Sequence, residues 1–290
     1  MHFTEAKSIL SATNGMNIYR GCTHGCIYCD SRSKCYGFTH AFEDIEVKQN
    51  APVLLEQRLR AKRKRCMIGT GSMCDPYMHC EETLMLTRRC LKIIEQYGFG
   101  VAIQTKSDRI LRDMDLLAGI HKNAKTVVEI TITTWDDELC KVLEPNVCVT
   151  SRRVKILEGM QQAGIPTVVW MTPILPYIND TEENIEKILE CCIRTGVKGV
   201  LNMGMGLTLR EGNREYFYEA LDKHFPGLSE KYIKNYGYSY EVPSPDSDRL
   251  TKLFTKMCRE SGMMYRADEI FEYMRTFPEE NGYEQLSLFP

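Results

Sequence analysis

Short apolar or β-branched runs alternate with longer segments of helical character along most of the chain. The runs fall at 17–21, 66–72, 101–107, 126–134, 167–174 and 199–206. Runs of that length and spacing read as strands of a parallel sheet, whose two faces are both covered. Helical patterns lie between them, over 51–65, 82–98, 107–121, 150–164 and 180–196, with a sixth over 211–223. Ser107 or Asp108 serves as an N-cap for the third helix, and Gly164 and Gly196 close the fourth and fifth. Six strand–helix units predict an α/β fold with helices outside, either a partial (βα)6 barrel of TIM type or an open doubly wound sheet. In both, reactive groups belong at the C-terminal ends of the strands.

The run 126–134 also alternates. Val128, Ile130 and Ile132 face one way, and Glu129, Thr131 and Thr133 the other. A polar row on a buried strand predicts a polar lumen, because buried hydroxyls and carboxylates need partners. From about residue 225 the pattern turns aromatic and turn-rich, and two helices follow at 246–262 and 267–276. Residues 1–224 therefore read as the barrel core and 225–290 as a C-terminal helical extension.

Composition narrows the chemistry. A net charge of −2 argues against a chain that binds nucleic acid with its whole surface. The basic stretch 58–65 sits at the C-terminal end of the first helix, where positive charge suits the helix dipole, and reads as a solvated helix end. No apolar run is long enough for a membrane span, and the first residues lack the pattern of a secretory signal. The cysteine count is odd, at 13, in a chain that needs no disulfide scaffold, so a cytoplasmic, reducing setting with some cysteines as metal ligands is expected. Adjacent Cys191 and Cys192 lie in a helical stretch and read as small core residues.

One group of cysteines is different. Cys22, Cys26 and Cys29 stand at C-x3-C-x2-C spacing directly after the first predicted strand, with Gly21 and Gly25 giving the loop freedom to wrap around a group. Three thiolates in one loop can hold a [4Fe–4S] cluster and leave one iron open. Zinc is the alternative, with His24 and Cys35 available to complete a tetrahedral set.

The motif Cys22-x3-Cys26-x-Tyr28-Cys29 resembles the signature of the radical S-adenosylmethionine (SAM) superfamily. Further motifs extend the likeness over roughly residues 15–205: Gly69–Tyr77 with Ser72, Cys74 and Asp75, Thr105–Ser107, Glu144-Pro145 with Arg153, and Pro173–Asp180. Together they are similar to the spore photoproduct lyase-like branch, whose namesake repairs DNA. The resemblance implies a partial barrel of the radical SAM kind, a [4Fe–4S] cluster on the three cysteines, and SAM as the second cofactor. It implies that SAM is cleaved with an electron from an external donor to give a 5′-deoxyadenosyl radical. It places SAM against Tyr28, Ser72, Asp75, Lys106, Thr131 and Arg153. Asp75 alternatively reads as a turn residue, and Lys106 as a solvated loop charge. A cysteine shortly before the matching Asp donates a hydrogen atom in that branch. Cys74 immediately precedes Asp75, a different register, so the role does not carry over by position. Cys74 reads either as a hydrogen donor by its thiol chemistry or as a packing residue.

The chain ends Gln285-Leu286-Ser287-Leu288-Phe289-Pro290. This resembles the peptide with which bacterial proteins bind the sliding clamp. The other reading is an apolar tail docked on its own barrel. The functional expectation is a radical SAM enzyme acting on DNA or a DNA lesion. Its alternatives are radical modification of a peptide, RNA or small metabolite, and a zinc-binding interaction module.

Overall fold

The computed structural model describes residues 1–278, so the terminal peptide Gln285–Phe289 lies outside the described residues. Six parallel strands stand side by side in chain order: β1 (Gly15–Met16), β2 (Met67–Thr70), β3 (Gly100–Thr105), β4 (Thr126–Thr131), β5 (Thr167–Trp170) and β6 (Gly199–Leu201). A doubly wound sheet would reverse its strand order part-way. This order never reverses, as in a partial barrel.

The helices α1 (Ala51–Ala61), α2 (Leu86–Gln96), α3 (Met114–Asn123), α4 (Thr150–Gln162) and α5 (Glu182–Arg194) connect successive strands. The strand period of two separates the faces. Ile68, Val101, Ile103, Val128, Ile130, Val169 and Val200 point outward into one core shared with these helices. Met67, Ala102, Val127, Val168 and Leu201 point inward. They are covered by Ile270 and Met274 of the last described helix, Ala267–Arg275, which lies against the inner face of the sheet.

Local chemistry moves several predicted boundaries. The expected first strand at 17–21 is displaced. The barrel strand is Gly15–Met16, while Tyr19–Arg20 leaves the sheet to pair antiparallel with Glu46–Lys48, which itself pairs parallel with His2–Thr4. Tyr19 is buried there because its hydroxyl donates to the buried carboxylate of Glu81. The expected helix 82–98 is broken at Met85, which adopts φ 53°. Glu81 then accepts from the backbone N–H groups of Leu86 (3.1 Å) and Thr87 (3.0 Å), satisfying the start of α2. The expected helix 107–121 opens with a 3-10 segment, Asp108–Asp113, capped by the Ser107 hydroxyl accepting from Arg109 N–H.

Elements not expected from the sequence include strands His2–Thr4 and Glu46–Lys48, helices Asp137–Leu143 and Leu228–Tyr236, and a ladder of Gly206–Thr208 with Glu241–Pro243. Leu207, Phe217, Tyr232 and Val242 pack with Ile27, Tyr28 and Leu143, so segments on both sides of residue 225 clamp the cysteine loop. Among the described residues, no helix is long and apolar enough to cross a membrane.

Ile270 is fully buried against the inner sheet face. Ile270→Ala should cost about 2–5 kcal/mol of stability in urea melts, because the cavity it leaves is walled by rigid strands. Tyr238→Ala, at a position 92% exposed, should change stability by less than about 0.5 kcal/mol.

Candidate active site

The three cysteines occupy the loop between Tyr19–Arg20 and the 3-10 turn Asp30–Arg32. Two glycines make its path possible. Gly21 has φ +87°, and a Cβ there would sit 2.4 Å from the Phe42 carbonyl oxygen; Gly25 has φ +71° and abuts Asn146 and Pro145. The loop is tied down by Cys22 N–H to Phe42 O (3.1 Å), Ile27 N–H to Leu143 O (3.0 Å) and Asn146 N–H to His24 O (3.1 Å).

All three cysteines are free. Burial pushes the Cys22 thiol up to about 12 and raises Cys26 and Cys29 as well; Lys106 opposes the rise at the last two. Binding a metal group would therefore release protons held more firmly than in an ordinary thiol. Zinc–sulfur bonds of about 2.3 Å would bring tetrahedral ligands within about 4 Å of one another. Among the described residues, no trio that includes these cysteines brings its ligand atoms within 4.8 Å. Their spacing suits a multi-atom cluster better than one zinc ion. Of the two proposed completing ligands, His24 has Nδ1 3.6 Å from Asp75 and a buried Nε2 without a hydrogen-bond partner, and Cys35 is exposed beside Arg210.

Behind the loop lies a buried charged group. Glu144, which follows the short helix Asp137–Leu143, accepts from the Tyr28 hydroxyl and pairs with Arg153, both of them buried. Burial pushes the Glu144 carboxyl up, but Arg153, Lys106 and the Tyr28 hydroxyl outweigh it and hold it below the ordinary value. Arg153 also donates to Cys148 O (3.0 Å) and Thr131 O (2.9 Å). Burial works against the Lys106 ammonium, but Cys26, Glu144 and Asp75 more than compensate and keep it protonated.

A cavity of about 520 Å³ opens over the C-terminal ends of the strands, within the usual range of about 300–1,000 Å³ for small-molecule sites. Cys26, Tyr28, Cys29, Ser72, Lys106 and Trp170 line it, with the segment 203–208 and Glu241–Pro243 as its outer wall. On the inner face of the barrel, Trp170 Nε1 donates to Glu129 (2.7 Å).

The structure thus gathers Tyr28, Ser72 and Lys106 with two of the cysteines at one cavity. The other predicted residues stand behind it. Asp75 is buried and accepts from Thr105 Oγ1 (2.7 Å), Lys106 N–H (2.8 Å) and Tyr77 N–H (2.8 Å). Thr131 is buried, its hydroxyl without a protein partner, and Arg153 is enclosed with Glu144. Cys74 donates its thiol proton to Tyr19 O (2.8 Å) in the outer core and does not line the cavity. Sequence reasoning missed Glu144 as the hub and Trp170 as a wall. The Glu144-Pro145 motif was visible, but nothing in it announces burial.

A family model described as the radical SAM superfamily matches residues 16–192. An uncharacterized protein of Mycobacterium tuberculosis is 27% identical over 232 residues, covering 76% of this chain and 66% of its own length. An uncharacterized protein of Methanocaldococcus jannaschii is 32% identical over 169 residues, covering 58% of this chain and 62% of its own. The chain thus spans about two thirds of these relatives. Among solved structures, spore photoproduct lyase complexed with dinucleoside spore photoproduct superposes with a TM-score of 0.64 at 14% identity, over 91% of this chain and 80% of that one. A variant of that lyase with bound AdoMet and dinucleoside spore photoproduct superposes with a TM-score of 0.61 at 14% identity, over 87% and 75%. At that identity the likeness is one of fold.

Burial raises the Glu129 carboxyl from 4.5 to about 7, against the Trp170 hydrogen bond, which lowers it. The folded state therefore holds this proton more tightly than the unfolded chain. The contribution of this group to stability should be full below pH 4.5 and fall by about 3 kcal/mol as pH rises to about 7, at about 1.36 kcal/mol per pH unit. Glu129→Gln should melt like the parent at pH 4 and at a higher temperature at pH 8. Equal shifts at both pH values would contradict this.

Proposed function

Because this chain belongs to the radical SAM superfamily, whose model spans residues 16–192, we propose that it is an enzyme that cleaves SAM reductively at a [4Fe–4S] cluster held by Cys22, Cys26 and Cys29. The observation that carries this reading is the convergence of Cys26, Cys29, Tyr28, Ser72 and Lys106 on one cavity at the C-terminal ends of the strands. When bound, the two cofactors supply an electron from an external donor and a 5′-deoxyadenosyl radical that removes a hydrogen atom from substrate.

The chain's own groups have definite parts in this reading. Lys106 offsets thiolate charge and offers a cation to a carboxylate. Tyr28 presents its ring to the cavity while Glu144 fixes its hydroxyl. Asp75 is a positioning residue, because it holds the Lys106 backbone and leaves the ammonium to face the cavity. Trp170, pinned by Glu129, and the 203–208 segment form an apolar wall that limits water.

We further propose that the substrate is DNA carrying a lesion. The fold likeness to a lyase seen with dinucleoside spore photoproduct supports this. So does the rim beside Thr208 and Glu241, where the Arg210 guanidinium lies 4.9 Å from the Tyr240 ring centre. Such pairs offer charge to phosphates and flat faces to bases. The clamp-like peptide Gln285–Phe289 adds a sequence feature in the same direction.

Anaerobic reconstitution should give about four irons and four sulfides per chain and SAM-dependent release of 5′-deoxyadenosine. Any of Cys22→Ala, Cys26→Ala or Cys29→Ala should abolish both, whereas Cys191→Ala should leave them unchanged. Lys106→Ala should weaken SAM binding by about 1.5–3 kcal/mol. Stoichiometric zinc without iron after anaerobic reconstitution would overturn the cluster assignment. SAM cleavage that neither DNA nor dinucleoside spore photoproduct couples to product would overturn the substrate assignment alone.

A further inference from the structure

A second cluster of ligating side chains lies away from the cavity, on the small sheet that braces the cysteine loop. His2 and Glu46 are register partners on adjacent parallel strands, and His40 reaches them from the loop that precedes Glu46–Lys48. One ligand atom from each of the three lies within 4.8 Å of the others.

The hydrogen bonds around them fix which atoms are free. His40 Nδ1 lies 2.9 Å from the Ala41 carbonyl oxygen, which only accepts, so Nδ1 carries a proton and in the neutral ring Nε2 carries the lone pair. That Nε2 is buried and has no hydrogen-bond partner. His2 Nδ1 lies 3.0 Å from an Asp44 carboxylate oxygen, so Nδ1 carries a proton and in the neutral ring Nε2 carries the lone pair. Glu46 accepts the Thr4 hydroxyl on Oε1 (3.3 Å), and its Oε2 faces His40 Nε2 at 3.9 Å. With the His40 ring neutral, two acceptors face each other across that gap. Arg20 Nη1 stands 3.9 Å from the same Oε2, beyond hydrogen-bond reach, and its Nη2 is committed to the carbonyls of Tyr36 and Gly37.

We propose that His2, His40 and Glu46 bind a zinc ion. Two neutral imidazoles and a carboxylate are borderline ligands suited to zinc. Bonds of about 2.0–2.2 Å span the observed gap with little movement. Asp44 on His2 and the Ala41 carbonyl on His40 are the outer partners that such ligands use to set their tautomers. The fourth position is left to water. None of the three residues lines the cavity. The ion would tie strand His2–Thr4 to the 37–46 segment, whose Phe42 carbonyl receives the Cys22 N–H. Its role is to brace the cysteine loop, and the site stands independently of the activity proposed above.

The test uses holoprotein reconstituted anaerobically with iron and sulfide, so that Cys22, Cys26 and Cys29 are occupied, then freed of loose metal and titrated calorimetrically with zinc sulfate. One zinc per chain is expected, with a zinc-edge absorption spectrum showing nitrogen and oxygen neighbours and no sulfur. Glu46→Gln, which preserves shape, and His40→Ala should each weaken binding at least about tenfold, whereas Cys35→Ser should not. Sulfur in the zinc shell, no uptake at micromolar zinc, or unchanged affinity in Glu46→Gln would each overturn the assignment. Glu46→Gln decides the matter if His40→Ala fails to fold.

Discussion

A carboxylate without solvent access governs the upper end of this barrel. Glu144 is fully buried, and a buried charge persists only where its partners are in place. Those partners come from distant parts of the chain. Tyr28 belongs to the cysteine loop, Arg153 to the outer helix α4, and Lys106 to the end of β3. Losing any one of them would leave the others poorly compensated. Loop, helix and strand end are therefore held in one arrangement, and the cavity takes its shape from it.

The sheet divides labour between its faces and between its ends. The outer face is mostly apolar and packs on the helices, with the Thr126 hydroxyl donating to the Leu117 carbonyl oxygen of α3. Low on the inner face, apolar side chains meet Ile270 and Met274, so the C-terminal helix fills a lumen that six strands do not close by themselves. Higher up, Glu129, Thr131 and Lys106 make the lumen polar, and beyond them the cysteine loop covers it. A carboxyl such as Glu129, drawn out of water with one donor, holds its proton to about pH 7. That cost is bearable because the apolar packing on both sides of the strand offsets it.

Legibility followed the range of the interactions. Five of the six barrel strands and the five connecting helices could be read from period and flanking residues, since those depend on near neighbours. The first strand could not be set in register. Tyr19 looks like a strand residue, but its hydroxyl is claimed by Glu81, 62 residues away. The break at Met85 has the same origin, because Glu81 also takes the N–H groups that begin α2. Helix Leu228–Tyr236 was hidden in an aromatic, turn-rich stretch, and its burial comes from Tyr232 packing on Phe217 and the cysteine loop.

The site shows the same division. The sequence by itself determined the cysteine spacing, the glycines that let the loop turn, and the placing of Ser72 and Lys106 just past strand ends, because each is a matter of a few adjacent residues. It also carried the family likeness that pointed to Asp75, Thr131 and Arg153. Only the tertiary structure decided that these three stand behind the cavity, that Cys74 faces the Tyr19 carbonyl, and that Trp170 forms a wall. It alone brought His2 beside His40 and Glu46. The physical reason is that burial and pairing of polar groups are settled by which distant segments meet, and no local pattern records that.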